Sequence, residues 1–496
     1  MDPTDHSVVS IAKKTDKGTI IEDDPEGIYY EEITDPNNIF EDAPKAYFKK
    51  ISDKSTSKIM IKESIDVLKK RKAQYIFMNY LMAAFSGFRL MTTFPNMNYF
   101  YDTLELESAN YSQFSSYAQI SWNFKPVFGI ASDLVFPFRL RLKPYIFLSC
   151  LMVALSCFTI FVFNELDALS FTFVNFVMYT GFCITDTLAE GMTALIFQVD
   201  KKIQMASSVI DPNEDPEANN KKAFGNFYNV RYLAINIGMF LGGVLADKVN
   251  IRWFYLILGS IALFMAIWTL FMFYEPKKPA YYSDPKLILG ELWMLIKVIV
   301  QPYILVPFIF INLLTSIPNL GDVGQFILLG LGGWTYTSLS FMTLFFGFIY
   351  FFALGYLING FTKLGFSEII IVSTFGLSLT MLLNYPLAYA REIPFYLMFL
   401  QQIVQSTFSA TFNALPTIAI TGRFSEVCPK GLESTGITML LSISNFGVMA
   451  SNLLSAKETV VFNVVSGYLT NITIPIFYNT LGYAVLLLIA PAFVIF

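Results

Sequence analysis

Histidine and cysteine are scarce in this sequence. Its 496 residues include one histidine, His6, and four cysteines. Three of the cysteines lie in apolar runs, and no Cys-x-x-Cys pair occurs. This distribution argues against a disulfide framework and against a metal or redox site, so we expect no cofactor. Because His6 stands in a polar N-terminal segment, any proton relay in the apolar part of the chain must use carboxylates. An enzyme is the least expected class, since the apolar part also lacks a nucleophile–base set.

Charge is also sparse, at 15% of residues against 54% hydrophobic ones, and the mean hydropathy is +0.52. The net charge of −4 gives no sign of nucleic-acid binding. Apolar stretches of about 20 residues recur along the chain, and each is long enough to cross a bilayer as a helix. The composition therefore predicts an all-α polytopic membrane protein, with lipid as its surroundings.

The chain begins with a segment of different composition. Residues 1–72 are polar, acidic and proline-containing, which predicts a disordered cytosolic tail. From Ala73 onward the pattern predicts twelve transmembrane helices. Segment 286–301 is predicted to be an interfacial helix leading into the seventh span, and the alternative is a cytosolic extension of that span. The predicted spans are 73–95, 114–136, 144–163, 170–197, 223–246, 252–274, 302–327, 335–359, 367–389, 393–419, 432–456 and 477–496.

Lysine and arginine predict the orientation. With the tail inside, cytosolic segments include clusters such as Lys69–Lys72, whereas the outer loops hold only Lys248, Arg252, Arg391 and Lys457. This bias places both termini in the cytosol. Two N-x-S/T sequons, at Asn110 and Asn471, fall on predicted outer loops and are candidate glycosylation sites. The pattern leaves open whether the membrane is the plasma membrane or an endomembrane.

A weak internal repeat divides the membrane part. Gly129 and Asp133, four residues apart, precede a basic loop between spans two and three. Gly355 and Asn359 have the same spacing and precede Lys363 between spans eight and nine. An offset of six spans predicts two related six-helix halves. These halves are residues 73–274 and 302–496, joined by a cytosolic linker, 275–301.

A few ionisable residues stand inside apolar runs. Lys125 lies midway in the second span, where an ammonium costs about 2.5–3.5 kcal/mol on the mildest scale unless a partner, water or a ligand matches it. Asp186 and Glu190 share one face of the fourth span because they are four residues apart. Arg231 is predicted at similar depth in the fifth span, and Arg89, in the first, has no assigned role.

Three patches of sequence resemble one family. Trp122–Asp133 is similar to the second span of folate–biopterin transporters, a branch of the major facilitator superfamily. Thr185–Glu190 resembles their fourth span, although Glu190 stands where Asp is usual and the basic continuation is missing. Residues 415–447 resemble the signature around the loop between spans ten and eleven. The resemblance implies the major facilitator fold and transport of folate, pterins or, in some lineages, other metabolites.

Each candidate residue has a functional and a structural interpretation. Lys125 and Arg231 could bind carboxylates of a folate-like solute, or could only form ion pairs with Asp186 and Glu190. The carboxylate pair could couple a proton or receive the N–H edge of a pterin. Trp122 could stack on a planar ring or on Lys125, or only pack between helices.

Asp133, with Arg139 and Arg141 after it, is predicted to be a gate residue that pairs across the two halves. The leading hypothesis is a proton-coupled secondary transporter of a folate- or pterin-class small molecule. The alternatives are a transporter of a different organic solute and a transporter-derived receptor or scaffold.

Overall fold

The computed structural model describes residues 72–494 with interruptions, and the N-terminal tail lies outside this range. The tail assignment for residues 1–72 therefore stays a prediction, except that Lys72 is part of a helix. The interruptions are residues 107, 164, 207–215, 276–284, 319–327, 330–333, 362–363, 390–391, 428–431 and 464–468.

Helix dominates the described residues, and no strand is found among them. The α-helices are α1 (72–87), α2 (Thr93–Asn98), α3 (Ser108–Ala118), α4 (Lys125–Leu134), α5 (Lys143–Val162), α6 (Ala168–Ala206), α7 (Pro216–Lys248), α8 (Ile251–Met272), α9 (Pro285–Ile299), α10 (Pro302–Ser316), α11 (Tyr336–Phe361), α12 (Phe366–Leu382), α13 (Phe395–Val427), α14 (Glu433–Val461) and α15 (Thr473–Val494).

Eight segments of the described chain are long and apolar enough to cross a membrane, and α10 contains a shorter apolar helix. Since a bilayer leaves backbone polar groups without water, helices of this kind are the expected spanning elements. The prediction of an all-α polytopic membrane protein is confirmed. The count of twelve spans remains a prediction, although helices are present in each of the twelve predicted regions. The eight segments are Lys143–Val162, Ala168–Ile196, Phe224–Lys248, Ile251–Met272, Tyr336–Ala353, Ser367–Tyr389, Ser434–Val461 and Thr473–Ala490.

The first predicted span is an irregular helix. After α1, residues Phe88–Thr92 form a 3₁₀ turn, and α2 is followed by the π-helical segment Tyr99–Thr103. Pro95 contributes to this irregularity, because a proline cannot donate to the carbonyl four residues before it and its ring crowds that carbonyl. The 3₁₀ turn carries Arg89 and gives this side chain a direction that α-helical spacing does not predict.

The second predicted span is broken in the middle. It begins at Ser108, earlier than the predicted Phe114, and α3 ends at Ala118. The 3₁₀ helix Ile120–Phe124 follows, and α4 begins at Lys125 with Pro126 in its first turn. Proline favours the start of a helix because its fixed φ suits that position and its missing N–H needs no partner there. The predicted second span, 114–136, is therefore helical but is not one continuous α-helix.

Segment 286–301 forms a helix of its own. Helix α9 ends at Ile299, and Gln301 has an extended backbone conformation (φ −60°, ψ 133°) before α10 starts at Pro302. The residue before a proline avoids the helical region, so this junction separates the two helices. A continuous helical extension of the seventh span is therefore not observed, and the interfacial position of α9 remains a prediction.

Helix α14 lies against both parts of the second span and against α6. Close approach is possible because glycines face its N-terminal end. A Cβ on Gly129 would meet Thr435 Cα at 2.8 Å, and one on Gly191 would meet Ser434 Cα at 2.8 Å. A second long contact between the halves is the packing of α7 along α11. The two predicted halves therefore meet through these helices.

Candidate functional site

Lys125 is buried between two carboxylates of α6. Its Nζ lies 2.6 Å from Asp186 Oδ2 and 2.9 Å from Glu190 Oε2, and all three side chains are at most 2% exposed. Both carboxylates face Lys125 because they are one helical turn apart. An ammonium at this depth is tolerated because two hydrogen-bonded carboxylates match it.

Arg231 of α7 contacts the same two carboxylates. Its Nη2 lies 3.1 Å from Asp186 Oδ2, and its Nη1 lies 3.4 Å from Glu190 Oε1. Ser86 also donates a hydrogen bond of 2.9 Å to Asp186 Oδ1. The ion-pair interpretations of Lys125 and Arg231 therefore match the geometry. Binding of a solute by these two side chains remains a proposal.

Trp122 has three cationic groups near its ring. The distances from the ring centroid are 4.0 Å to the guanidinium carbon of Arg89, 4.8 Å to Lys125 Nζ and 5.6 Å to the guanidinium carbon of Arg231. These separations are within the range of cation–π attraction. The indole Nε1 is buried and has no hydrogen-bond partner in the described part of the chain.

Pro126 links the broken second span to the other half of the molecule. In a regular helix the N–H of residue 126 would bond to the carbonyl of Trp122, and proline has no N–H. That carbonyl instead accepts a 3.0 Å hydrogen bond from Asn445 Nδ2 of α14. The Trp-x-x-x-Pro spacing therefore creates a main-chain acceptor next to the charged cluster, and an asparagine of the C-terminal half uses it.

A cavity of about 310 Å³ lies beside this cluster, between residues of the two halves. It is at the lower end of the range that small-molecule sites usually occupy, roughly 300–1,000 Å³. The N-terminal half contributes Trp122 and the charged side chains to its lining. The described lining residues of the C-terminal half are uncharged, and their polar members are Thr315, Asn413, Thr417, Ser444, Asn445, Ser451, Asn452 and Tyr483.

The two carboxylates of α6 differ in their access to the cavity. Glu190 lines the cavity together with Arg89, Lys125 and Arg231. Asp186 is fully buried behind them. Glu190 has weaker contacts as well, since its Oε1 lies 3.5 Å from the hydroxyl of Tyr228 and 3.4 Å from Arg231. A solute or a proton entering the cavity would therefore meet Glu190 first.

Asp133 lies at the end of α4 that the charge pattern assigns to the cytosol. Its carboxylate bonds to residues of both halves. Its Oδ1 lies 2.6 Å from Arg141 Nη2. Its Oδ2 accepts hydrogen bonds of 2.8 Å from the backbone N–H and 2.9 Å from the hydroxyl of Thr435, at the start of α14. An Asp at a helix N-terminus is favourable because unpaired N–H groups point toward it. Arg139 is exposed, in a turn with φ 65°.

Glu275 fixes the basic loop after Asp133. Its carboxylate accepts hydrogen bonds of 2.8–3.0 Å from the backbone N–H groups of Arg141, Leu142 and Lys143 at the start of α5. Burial raises the pKa of Glu275, although these three donors act in the opposite direction. No sequence pattern selects this residue, since the contact spans more than 130 positions along the chain.

The structure brings together most of the residues that the sequence singles out. Lys125, Trp122, Arg231, Asp186 and Glu190 form one cluster. Asp133 pairs with Arg141. Arg89, to which the sequence assigns no role, lies against Trp122.

The two sequons differ in setting. Asn110 lies exposed in α3 rather than in a loop, so its predicted loop position is wrong. Asn471 is half-buried in the 3₁₀ segment Leu469–Ile472, and its side chain donates to the carbonyl of Asn463 at 3.3 Å. Glycosylation at either position stays a prediction.

The fold is that of the major facilitator transporters. A crystal structure of a mutant of the nucleoside transporter NupG aligns with 85% of this chain and 99% of its own, at a TM-score of 0.58 and 14% identity. The human organic anion transporter MFSD10 (TETRAN) gives the same coverage at 0.54 and 14%. A D-xylose-proton symporter aligns with 84% of this chain and 97% of its own, at 0.57 and 13%. The chain is thus a multi-pass membrane protein with this fold.

Within this class the chain is similar to the BT1 family. Residues 86–209, which include the charged cluster of the N-terminal half apart from Arg231, match the model of that family. Folate transporter 1 of Plasmodium falciparum (isolate 3D7) is 23% identical over 399 residues, covering 79% of this chain and 74% of the relative. Both findings confirm the resemblance to folate–biopterin transporters.

Proposed function

We propose that the protein is a secondary active transporter of folate or pterin-like organic solutes that works by alternating access of two six-helix halves. The observation that carries this proposal is the cavity between the halves. One side combines cations, a carboxylate and an indole ring, and the other side is neutral and polar. A planar heterocycle with an anionic substituent has complementary chemistry on both sides.

The contacts at the predicted cytosolic end support the alternating-access part. Asp133 joins α4 to the N-terminus of α14, and Gly129 and Gly191 allow the same helix to approach closely. A carrier needs contacts of this kind that close one end and can separate again. We propose that Asp133, Arg141 and the exposed Arg139 form this gate.

Coupling to a proton is the second part of the proposal. Within the cluster, Glu190 is the carboxylate that reaches the cavity, and Lys125 and Arg231 each share their contacts between Glu190 and Asp186. A proton on Glu190 would neutralise this carboxylate and weaken its ion pairs with Lys125 and Arg231. We propose that solute and proton therefore meet at Glu190.

Uptake by cells that express the protein tests the transport proposal. We expect radiolabelled folate or biopterin to accumulate and Lys125→Ala to abolish uptake. Removing one partner of a buried ion pair costs about 3–5 kcal/mol, so the amount of each variant in the membrane must be measured. Lys125→Arg keeps the charge, and Lys457→Ala, at an exposed lysine, is the matched control.

Normal uptake by Lys125→Ala would contradict a role for the cluster in solute binding. A wild-type protein that transports neither solute, but is stabilised by another compound of a ligand panel, would indicate a different organic solute. A protein that responds to no solute at all would favour the receptor or scaffold alternative.

A further inference from the structure

The charges of the cluster do not balance. Arg89, Lys125 and Arg231 carry three positive charges, and Asp186 and Glu190 carry two negative ones. Lys125 and Arg231 use both carboxylates. Among the described residues no carboxylate lies within ion-pair distance of Arg89. One cation of the cluster is therefore left uncompensated at the cavity, where an unpaired charge is costly.

Arg89 also has unused hydrogen-bonding capacity. Its Nη1 donates only a long hydrogen bond, 3.4 Å, to Gln119 Oε1, and its Nε is buried without a partner in the described chain. The Nε1 of Trp122 is equally unpaired. Both residues line the cavity. The Nε of Arg231, which lines the same cavity, is also unpaired, although its Nη atoms contact the two carboxylates of α6. Buried donors are nearly always matched by an acceptor, so three unmatched donors at one cavity indicate a missing acceptor.

The position of Arg89 is fixed by its surroundings. The carbonyl of Arg89 accepts a 2.7 Å hydrogen bond from Thr92, whose hydroxyl also bonds to Tyr179 at 2.8 Å. The guanidinium lies over the indole ring of Trp122. Gly87, two residues earlier, lets this turn approach the Arg231 carbonyl, which a Cβ would meet at 2.8 Å. The guanidinium of Arg89 is therefore preorganised before a ligand binds.

The C-terminal half contributes no charged side chain to the described lining of the cavity. The described lining residues of the C-terminal half, such as Asn413, Asn445 and Asn452, are neutral. They can hydrogen-bond an uncharged heterocycle but cannot neutralise an anion. An anionic group in the cavity therefore has its best partner on the first span, away from the carboxylates that occupy Lys125 and Arg231.

We propose that Arg89, presented on Trp122, binds the carboxylate of the solute and thereby makes the transporter prefer anionic over neutral pterins. This inference rests on the proposed function and names the residue that sets its substrate class. Lys125 and Arg231 then hold the carboxylate pair of α6, and Arg89 makes the direct anion contact.

Two solutes that share a pterin ring test the inference. Folate carries a glutamate with two carboxylates, and biopterin is neutral. We expect Arg89→Gln to weaken folate binding and uptake about tenfold to a hundredfold, as for a lost charge-assisted hydrogen bond, and to leave biopterin within about twofold. Arg89→Lys should recover part of the folate signal, because it keeps the charge without the planar fork.

Arg252→Gln is the matched control. Arg252 also lies over an aromatic ring, that of Phe161, and bonds to a backbone carbonyl, but it stands outside the cavity lining. Its substitution should leave the folate-to-biopterin ratio unchanged. Membrane levels are measured for every variant.

A measurement on the wild-type protein avoids the risk that a variant misfolds. Folate should stabilise the purified protein at concentrations about tenfold lower than the concentrations at which its uncharged dimethyl ester does so.

The outcomes separate this inference from the proposed function. Equal loss of folate and biopterin in Arg89→Gln, or equal stabilisation of the wild type by folate and its ester, would overturn the role of Arg89 and leave pterin transport standing. Wild-type protein that neither binds nor transports either solute would contradict both. Selective loss of folate, rescued in part by Arg89→Lys, would establish the inference.

Discussion

At the scale of single residues, Asp186 and Glu190 have different surroundings although their spacing makes them look like an equivalent pair. Asp186 is fully buried and accepts from Lys125, Arg231 and Ser86. Glu190 has a 2.9 Å contact to Lys125 and otherwise long ones, and it faces the cavity. The first is therefore suited to holding the helices together, and the second to changing its protonation during transport.

This difference predicts unequal effects of neutralisation. Glu190→Gln should keep the protein in the membrane and make folate uptake insensitive to external pH, because the group that we propose exchanges the proton is gone. Asp186→Asn should lower the amount of folded protein, since a buried group with three partners is disrupted. Uptake across roughly pH 5 to pH 8, normalised to membrane level, measures both. A normal pH dependence in both variants would eliminate proton coupling through this pair.

Most of this site could be predicted from the sequence, because ionisable residues are rare in apolar helices and are usually functional or paired. This rule selects Lys125, Asp186, Glu190 and Arg231. The same rule selects Arg89, but the role proposed for it could not be predicted, since that role depends on the 3₁₀ turn around Arg89 and on the direction of Trp122. No spacing rule gives that direction.

At the scale of helices, the close approach of α6 to α14 can be tested directly. Gly191 of α6 faces Ser434, and an added methyl group would collide with both the side chain and the backbone. Overpacking of a tight contact costs about 1–3 kcal/mol. Gly191→Ala should therefore lower the thermal stability of the purified protein and reduce uptake.

Gly290→Ala is the matched control for this substitution. Gly290 lies exposed in α9, and nothing lies within 4 Å of its added Cβ. Alanine is also the better helix former by about 1 kcal/mol. This variant should be as stable as the wild type or slightly more stable. A stable, fully active Gly191→Ala would show that α6 and α14 have more space between them than the structure indicates.

Helix breaks are harder to predict than helices. Apolar runs of suitable length predict where α5, α6, α8 and α11 lie. The break in the second span escapes this pattern because the apolar residues continue through it. Pro126 is a visible signal, but a proline in the first turn and one in the interior of a helix look alike in sequence.

At the scale of the whole molecule, one carboxylate joins the two halves at the predicted cytosolic end. Asp133 bonds to Arg141 on its own half and to Thr435 on the other. Asp133→Ala should reduce uptake at least about tenfold, because the closed end loses its cross-half hydrogen bonds. Thr435→Val removes only the hydroxyl and should have a smaller effect, since the backbone N–H remains.

A double-mutant cycle measures this contact. If Asp133 acts through Thr435, the double variant should lose little more than Asp133→Ala alone, because interacting residues are not additive. Uptake is the first readout. The second is chemical labelling of a single cysteine introduced at the cavity, in a protein whose four native cysteines have been replaced. Fully additive effects would show that the residues act independently.

The one-sided distribution of charge in the cavity has an electrical consequence. With three cations against two carboxylates, the empty cluster carries a formal charge of +1, all of it on the N-terminal half. A bound dicarboxylate changes this to −1. Membrane voltage acts on a charge with about 2.3 kcal/mol per 100 mV, so it would push the empty and the loaded carrier in opposite directions. A negative-inside potential would then act on both the return of the empty carrier and the movement of the loaded carrier, with opposite sign.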